Sequence, residues 1–442
     1  MGAFWCELAW LGGDGVEAGV LVETDDERIA GLETGVGEPE GATRLRGVVL
    51  PGFANAHSHA FQRALRGRTH RGEGNFWTWR QEMYELADSL DPDSYLRLAT
   101  ATFGEMALAG ITTVGEFHYL HHDRGGRRYT ERNAMGEAVI EAARRAGIRI
   151  TLIDACYLNG GIDAGPEGTQ LRFSDGDVDD WAARVAELTE GPGVKLGAAI
   201  HSVRAVDPRS AGSIALWAAR REAPLHAHVS EQPAENDECI ARYGSTPTSL
   251  LADAGALSER FVAVHATHLG DSDPRLLGQT GCAVCLCPTT ERDLADGVGP
   301  ARRLRDAGAR LALGTDSNAV IDLFEEARAV ELDERLATGV RGSHDPSDLL
   351  RAATSAGHAC LGWPEAGRLE PGALCDLVAV ALDSSRLAGV EAADAVPGLV
   401  FAGAAPDVRD VVVGGRHVVR DGLHVDLDVP AELRASIEAI WA

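Results

Sequence analysis

Eight short apolar runs, each ending in polar or ionisable residues, constrain the fold of this chain more than any other feature. They span residues 47–59, 110–119, 149–159, 194–204, 224–232, 261–268, 282–291 and 310–318. Continuous apolar runs of this length are typical of strands buried on both faces, as in parallel sheets. Longer segments with helical spacing alternate with them, for example 95–110, 133–147 and 213–223. The alternation predicts an α/β fold built on a TIM-like (β/α)8 barrel.

The two ends of the chain have a different pattern. Residues 1–48 and 367–425 contain short strand-like pieces separated by glycines, which resemble β-hairpins more than strand–helix units. We therefore predict a small β-sandwich domain formed from both ends, residues 1–48 and 365–442, beside a barrel of residues 49–364. Residues 429–441 are predicted to form a closing helix.

Charge and composition exclude some classes of partner. The net charge is −26, from 41 basic and 67 acidic residues. Nucleic acids and anionic membranes need a basic face, so neither is expected to bind. The first residues lack the basic start of a signal peptide, and eight cysteines in a chain this long do not suggest a secreted disulfide framework. We expect a cytoplasmic protein, with a homodimer as the default assembly.

Histidines and an aspartate follow several of the predicted strands. In a barrel of this kind the chemistry lies at the carboxyl ends of the strands. The residues at these ends are His57, His59, His228, His265 and Asp316. Zinc takes histidine nitrogens and carboxylate oxygens, and a catalytic site keeps one position open for water. We predict one Zn²⁺ per chain, bound by His57, His59, His228 and Asp316.

Other potential ligands have simpler interpretations. His226 lies two residues before His228, about 6–7 Å back along the strand, and is predicted to belong to the core or to support the ligands. Cys282, Cys285 and Cys287 contain a single C-x-x-C spacing, so we interpret them as small apolar residues of a buried strand rather than a thiolate zinc site.

The chain has a single lysine, Lys195, in the fourth predicted strand. Some barrels of this type bind two metal ions bridged by a carboxylated lysine on that strand. Lys195 precedes His201, at the functional end, by six residues, or about 20 Å along a strand. Lys195 is therefore expected near the opposite mouth, and the site is predicted to be mononuclear.

Longer motifs give a resemblance to a known family. They are LPGFANAHSHAFQRALRGR (50–68), FWTWRQEMY (76–84), EFHYLHHD (116–123), HSVRAV (201–206), HAHVSEQ (226–232) and CPTTERDLADG (287–297). From about residue 48 to 360 the chain resembles the formimidoylglutamate deiminases of the amidohydrolase superfamily. These enzymes of histidine degradation convert N-formimidoyl-L-glutamate to N-formyl-L-glutamate and ammonia. The H-x-H, H-x-x-E and final aspartate features specify only the superfamily, whereas FWTWR, FHYLHHD and CPTTE are narrower.

The resemblance implies roles for particular residues. Glu231, three residues after His228, is expected to carry a proton from water to the leaving nitrogen, by resemblance and by position. His265 is expected to orient or deprotonate the water, with Asp316 as ligand and auxiliary base; the sequence does not divide the base role between them. The dicarboxylate substrate would be held, by resemblance, by Gln62, Arg80, Tyr119, His201 and Arg204. Arginine suits this task because its fork matches a carboxylate.

Several alternatives stay open. The same metal chemistry would serve a deaminase of a ring amidine such as guanine, although two arginines argue against it. A catalytically inactive barrel that acts as a binding module is a third interpretation. The sequence does not separate the glutamate substrate from its aspartate homologue, which differs by one methylene, and it does not fix the metal in the cell. Segment 68–75 is either a mobile lid or a solvated loop.

Overall fold

Two sheets contain the strands of this chain, as described by a computed structural model covering residues 2–70 and 73–442. The strands are β1 (Gly2–Ala9), β2 (Glu17–Asp25), β3 (Arg28–Glu33), β4 (Thr43–Pro51), β5 (Phe53–Ser58), β6 (Ile111–His118), β7 (Arg149–Cys156), β8 (Val194–Ile200), β9 (Leu225–Val229), β10 (Phe261–His265), β11 (Ala283–Leu286), β12 (Arg310–Leu313), β13 (Leu377–Val380), β14 (Val408–Val413), β15 (Arg416–Arg420) and β16 (Leu423–His424). The α-helices are α1 (Phe76–Ser89), α2 (Pro92–Leu108), α3 (Ala134–Ala146), α4 (Val178–Val185), α5 (Pro208–Arg221), α6 (Pro233–Tyr243), α7 (Pro247–Asp253), α8 (Asp273–Gln279), α9 (Pro288–Asp293), α10 (Ala301–Asp306), α11 (Leu323–Thr338), α12 (Pro346–Ala353), α13 (Ser355–Cys360), α14 (Ala395–Ala402) and α15 (Val429–Trp441).

Strands β5 to β12 pair in chain order as one parallel sheet. Its two edges meet where Ser58 bridges to Asp316. The amide of His59 donates to the carbonyl of Asp316 at 2.9 Å, and the amide of Asp316 donates to the carbonyl of His57 at 3.0 Å. The predicted α/β fold with a (β/α)8 barrel is confirmed, and its closure brings the end of the first strand to the end of the eighth.

The helical segments predicted at 95–110, 133–147 and 213–223 correspond to α2, α3 and α5. Local sequence explains their ends. The Asp91 and Asp207 side chains accept hydrogen bonds from backbone amides in the first turns of α2 and α5, and a proline follows each. Helix α3 ends at Gly147, whose φ of 71° lies in the left-handed region that glycine adopts without strain.

The chain ends form the second sheet, with strand order β16-β15-β14-β13-β4-β1-β2-β3. The predicted small β domain is confirmed, and its strands share one continuous hydrogen-bonded sheet. The pairs are antiparallel except β1 with β4. Within the hairpin-like stretch 367–425, β14 and β15 form a hairpin joined by Gly414 and Gly415, whose φ angles are 54° and 73°. Positive φ at two consecutive residues is the geometry of a tight hairpin turn.

The chain passes from the small sheet to the barrel at Gly52. Strand β4 belongs to the small sheet up to Pro51, and the barrel begins at Phe53. A β-carbon on Gly52 would lie 2.2 Å from the Thr112 hydroxyl, so the close approach requires glycine. We therefore propose the domain boundary at Gly52 rather than after residue 48. At the other end, α15 forms as predicted and packs Val429 and Leu433 against Ala101 of α2.

Residues 71 and 72 of segment 68–75, where the sequence left a lid possible, lie outside the described residues. Among the described helices, none is long and apolar enough to cross a bilayer.

A buried arginine joins the barrel wall to helix α4. The Arg184 guanidinium contacts both oxygens of Asp154 at 2.8 Å and an oxygen of Asp175 at 2.9 Å, with all three side chains buried. Burial alone would raise the pKa of Asp154, but Arg184 holds it below its ordinary value. Burial also opposes the lowered pKa of Asp175, which His122 and Arg184 maintain. The charged state of both buried carboxylates, Asp154 and Asp175, therefore depends on the positive charge of Arg184.

Replacing Arg184 with methionine is expected to lower the free energy of unfolding by about 3–5 kcal/mol, because both carboxylates lose their counter-charge. Since their folded-state pKa values are lowered, this stabilisation is present above about pH 4 and is lost as the pH falls below that. Urea unfolding at pH 7 and pH 3.5 measures both effects. A variant as stable as the parent at pH 7 would contradict this account of the ion pairs.

Candidate active site and metal centre

Three histidines and one aspartate meet at the carboxyl end of the barrel. His57 and His59 lie at the end of β5, His228 lies in β9, and Asp316 follows β12. An Asp316 oxygen lies 3.3 Å from Nε2 of His57 and 3.4 Å from Nε2 of His59. The Nε2 atoms of His228 and His57 are 3.2 Å apart. All four side chains are buried, so these ligand atoms surround one small volume.

The hydrogen bonds of the ring nitrogens point away from that volume. Nδ1 of His59 donates to the carbonyl of Phe117, and Nδ1 of His228 donates to the carbonyl of His201, each at 2.9 Å. A ring that donates from Nδ1 carries a lone pair on Nε2 when neutral. Burial keeps the rings neutral, and it lowers the pKa of His57 to about 3. Lone pairs and a carboxylate so close together need a cation between them, so the donor set fits a divalent metal ion.

Asp316 is held by an unusual backbone. Its φ is 44° and that of Asn318 is 56°, both in the left-handed region. The Asn318 side-chain amide donates to the carbonyl of Asp316 at 3.1 Å, to the carbonyl of His59 at 3.0 Å and to the Ser58 hydroxyl at 3.1 Å. One asparagine thus joins the first and eighth strand ends. Strained residues often cluster at functional sites, where surrounding contacts hold them in place.

His265 lies between three carboxylates. Its Nε2 is 3.8 Å from an oxygen of Glu231 and 3.8 Å from the second oxygen of Asp316. Its Nδ1 is 3.3 Å from Glu291, a residue to which we assigned no role from sequence. Burial opposes protonation, but the carboxylates of Glu291, Glu231 and Asp316 raise the pKa of His265 well above its ordinary value. Burial also raises the pKa of Glu231. His265 and Glu231 can therefore exchange protons with a molecule bound at the metal centre.

A cavity opens over this centre, and His59, His228, Glu231, His265 and Asp316 line it. All five residues predicted to bind substrate line it: Gln62, Arg80, Tyr119, His201 and Arg204. The Gln62 amide donates to the Tyr119 hydroxyl at 3.0 Å, and the Tyr119 and His201 rings meet edge to face at 5.4 Å. The Arg80 guanidinium lies over the Trp77 ring, 4.5 Å from its centroid. The cavity thus combines a metal centre with two cationic side chains.

Arg204 is the more deeply buried of the two arginines. Its Nη2 lies 3.4 Å from Glu231, and its Nε lies 3.5 Å from Glu235 on helix α6. The guanidinium also lies over the Phe76 ring, 5.8 Å from its centroid. Nothing in the sequence connects Glu235 with Arg204, because the two are 31 positions apart and Glu235 has the pattern of an ordinary acid in a first helical turn.

Aromatic side chains for which the sequence predicted no role form much of the remaining cavity wall. They are Phe76, Trp79, Tyr84, Tyr157 and Phe173. Tyr157 directly follows β7 and stacks edge to face on His201 with ring centroids 4.7 Å apart. The rule that selected the other candidates, a polar side chain at a strand end, would also have selected Tyr157.

Three kinds of residue that we interpreted from sequence as structural lie away from the candidate metal centre: His226, the cysteines and Lys195. His226 is fully buried and hydrogen-bonds to the carbonyl of Cys360 at 3.1 Å. Cys285 is a buried residue of β11, and all eight cysteines are free. Lys195 lies near the start of β8, with its ammonium 4.3 Å from the centroid of the Trp363 ring and 3.6 Å from Glu365.

A second group of potential ligands, His118, His121 and Asp154, lies close together outside the cavity. Arg184 already contacts both oxygens of Asp154. A guanidinium in that position repels a cation, so we interpret this group as part of the buried ion-pair network.

Comparison with known proteins agrees with this geometry. The amidohydrolase family profile matches residues 48–418. Over 399 residues the chain is 38% identical to a formimidoylglutamate deiminase from Pseudomonas aeruginosa, covering 87% of each chain. It is 30% identical over 379 residues to a 5-methylthioadenosine/S-adenosylhomocysteine deaminase from Syntrophobacter fumaroxidans, covering 85% of this chain and 81% of that one.

A crystal structure of an amidohydrolase from Brucella melitensis superimposes over the full length of both chains, with a TM-score of 0.92 and 32% identity. The family match, the barrel and the histidine–aspartate centre agree on one assignment. This chain belongs to the amidohydrolase family and is a hydrolase.

Proposed function

We propose that this enzyme is a zinc-dependent deiminase of N-formimidoyl-L-glutamate, with one Zn²⁺ per chain and a place in histidine degradation. Water replaces the imino nitrogen, so the products are N-formyl-L-glutamate and ammonia. One observation carries the proposal: Arg80 and Arg204 line the same cavity as the histidine–aspartate centre. The formimidoylglutamate deiminase similar to this chain supports the same substrate. The cytoplasmic location and the homodimer stay predictions.

His57, His59, His228 and Asp316 would hold the metal ion through the atoms that face one another. When bound, zinc acidifies water and so supplies a nucleophile near neutral pH. The protein supplies the rest: neutral imidazoles with fixed orientation and an aspartate whose backbone carbonyl accepts a hydrogen bond from the Asn318 amide. His265 and Asp316, whose Nε2 and carboxylate oxygen lie 3.8 Å apart, would orient the attacking water, and the neighbouring Glu231 would take its proton.

Glu231 moves the proton that the reaction needs. The formimidoyl group is an amidine and would bind in its protonated form, with an NH2 group on the reacting carbon. Attack of water on that carbon releases a proton, and the NH2 group must gain one to leave as ammonia. The hydroxyl proton left on the formyl oxygen then passes to the ammonia or to solvent. Glu231 can accept the first and donate the second, because it lies beside His265 at the cavity wall and burial raises its pKa. One carboxyl group therefore serves as base and then as acid.

The substrate's two carboxylates would bind to the cationic and hydrogen-bonding side chains of the same cavity. Arg204 and Arg80 supply positive charge, and the Tyr119 hydroxyl, the Gln62 amide and His201 supply hydrogen-bonding groups. Forked guanidinium–carboxylate contacts fix both the position and the orientation of the ligand. The arginines thus hold the formimidoyl carbon at the metal centre.

Deamination of an aromatic ring is the second candidate. The aromatic wall formed by Trp79, Tyr84, Tyr157 and Phe173 would suit a heterocycle. A neutral purine has no anionic group to pair with Arg80 or Arg204, so it would gain nothing from the two positive charges of the cavity. The dicarboxylate substrate is therefore the better match.

Product analysis tests the proposed reaction. After incubation of the zinc-loaded enzyme with N-formimidoyl-L-glutamate, we expect one ammonia per N-formyl-L-glutamate, detected by its formyl proton in NMR. Hydrolysis of the other C–N bond would give L-glutamate and formamide instead. Formamide as the main product, or no product from this compound, would contradict the proposal.

Metal analysis tests the mononuclear centre. We expect one zinc ion per chain, loss of turnover after chelation and recovery after addition of about one equivalent of zinc. His226→Gln is a matched control, because His226 lies in the same strand as His228 but away from the centre. Two tightly bound ions per chain would overturn the mononuclear assignment.

A further inference from the structure

Glu235 is a buried carboxylate that the proposed reaction does not use. It lies in the first turn of helix α6 and is fully buried. Burial raises its pKa to about 7, against an opposing effect of Arg204. A buried carboxylate contributes little to the stability of the fold by itself, because removing its charge from water costs free energy that an uncharged group of the same shape avoids. Its contacts therefore indicate what it does.

One contact connects Glu235 to Arg204, the arginine that is proposed to bind the substrate. Its Oε2 lies 3.5 Å from Nε of Arg204, whose Nη2 lies 3.4 Å from Glu231. Arginine side chains have several rotatable bonds, so a single contact leaves the fork free to swing. Charged contacts on two sides of the guanidinium restrain it more than one contact would, and Arg204 lines the cavity in which a ligand carboxylate would bind.

The other contact joins Glu235 to the segment that carries Glu231. Its Oε1 accepts a hydrogen bond from the amide of Ser230 at 3.4 Å. Ser230 has a φ of 52°, a left-handed conformation that a residue with a side chain adopts only when neighbouring contacts hold it. The direction of the Glu231 side chain depends on this turn, because Glu231 is the next residue.

We propose that Glu235 is a positioning residue that couples substrate recognition to proton transfer, because one carboxylate fixes both Arg204 and the Ser230 turn. The substrate in this inference is the dicarboxylate of the proposed function. Each oxygen serves one side of the site: Oε2 holds the arginine that binds the substrate carboxylate, and Oε1 holds the turn that aims Glu231 at the reacting atoms.

Two variants separate the two contacts. Glu235→Gln keeps an oxygen for the Ser230 amide but loses the charge that holds Arg204, so KM for N-formimidoyl-L-glutamate should rise about tenfold or more with a smaller change in kcat. Glu235→Ala loses both contacts, so kcat should fall at least about tenfold as well. Glu238→Gln, an exposed position on the same helix, is the matched control and should leave both constants unchanged.

A double-mutant cycle shows whether Glu235 acts through Arg204. If it does, Glu235→Gln adds little to the rise in KM already caused by Arg204→Ala. Independent effects on KM, which multiply in the double variant, would overturn the proposal.

Crystal structures of the two Glu235 variants test the same positions without any substrate. Glu235→Gln should displace the Arg204 guanidinium from its present place, and Glu235→Ala should also change the Ser230 turn. Unchanged positions of both in Glu235→Ala would refute the proposal. If the parent enzyme does not turn over N-formimidoyl-L-glutamate, the proposed function fails, but these structures still decide the role of Glu235.

Discussion

Replacing Glu231 with glutamine is expected to reduce kcat for N-formimidoyl-L-glutamate by about 10²–10⁴-fold, the usual contribution of a positioned acid or base. Glutamine keeps the size of the side chain but cannot carry the proton from water to the departing nitrogen. Steady-state ammonia release measures the effect, and metal content should stay at the parent value because Glu231 is not a proposed ligand.

The control for this variant is Glu238→Gln, which removes the same charge from an exposed position nearby. A kcat within about tenfold of the parent would show that another group moves the proton. His265 would then be the first alternative, since it lies 3.8 Å from Glu231 and 3.8 Å from Asp316.

Replacing Arg204 with alanine is expected to lower kcat/KM for the dicarboxylate substrate by roughly 30- to 4,000-fold. This corresponds to about 2–5 kcal/mol, the usual effect of truncating one partner of a buried charged contact. Glu231 and Glu235 also lose their shared cation. Arg204→Lys keeps the charge but not the fork, so it should fall between the alanine variant and the parent.

A probe without the side-chain carboxylate, N-formimidoylglycine, separates recognition from chemistry. The parent should prefer the glutamate compound strongly, because the glycine compound has one carboxylate fewer for the two arginines to bind. A smaller preference in Arg204→Ala would assign Arg204 to the side-chain carboxylate, whereas an equal loss of kcat/KM for both compounds would assign it to the α-carboxylate. Thermal unfolding of each variant shows whether the fold is intact. An unchanged kcat/KM in Arg204→Ala would remove Arg204 from the substrate site.

The sequence predicts the barrel and the arrangement of its ligands because both follow from short-range rules. Apolar runs mark buried strands, and polar residues at their carboxyl ends meet at one mouth of a barrel. His57, His59, His228 and Asp316 lie together in the structure for this reason. The position of Lys195, far from the centre, follows from counting residues along a strand.

The sequence did not predict the contacts of residues whose partners lie far away along the chain. Glu235 and Glu291 look like ordinary acids near helix starts, and only the fold shows that they contact Arg204 and His265. Asn318 likewise donates hydrogen bonds to Ser58 and His59, which lie about 260 residues earlier in the chain, and only the fold brings these residues together. The proposed domain boundary at Gly52 has the same origin, since the apolar pattern of strand β4 is also the pattern of a first barrel strand.

The relative kcat/KM of the zinc-loaded enzyme for different substrates tests the central claim most directly. The panel contains N-formimidoyl-L-glutamate, N-formimidoyl-L-aspartate, guanine and 5-methylthioadenosine, with ammonia release as the common readout. We predict a value above about 10⁴ M⁻¹s⁻¹ for the glutamate compound, an ordinary figure for a true substrate, and values at least about 100-fold lower for both rings. Ammonia released only from a ring substrate would leave the metal chemistry in place and contradict the roles given to Arg80, Tyr119 and Arg204.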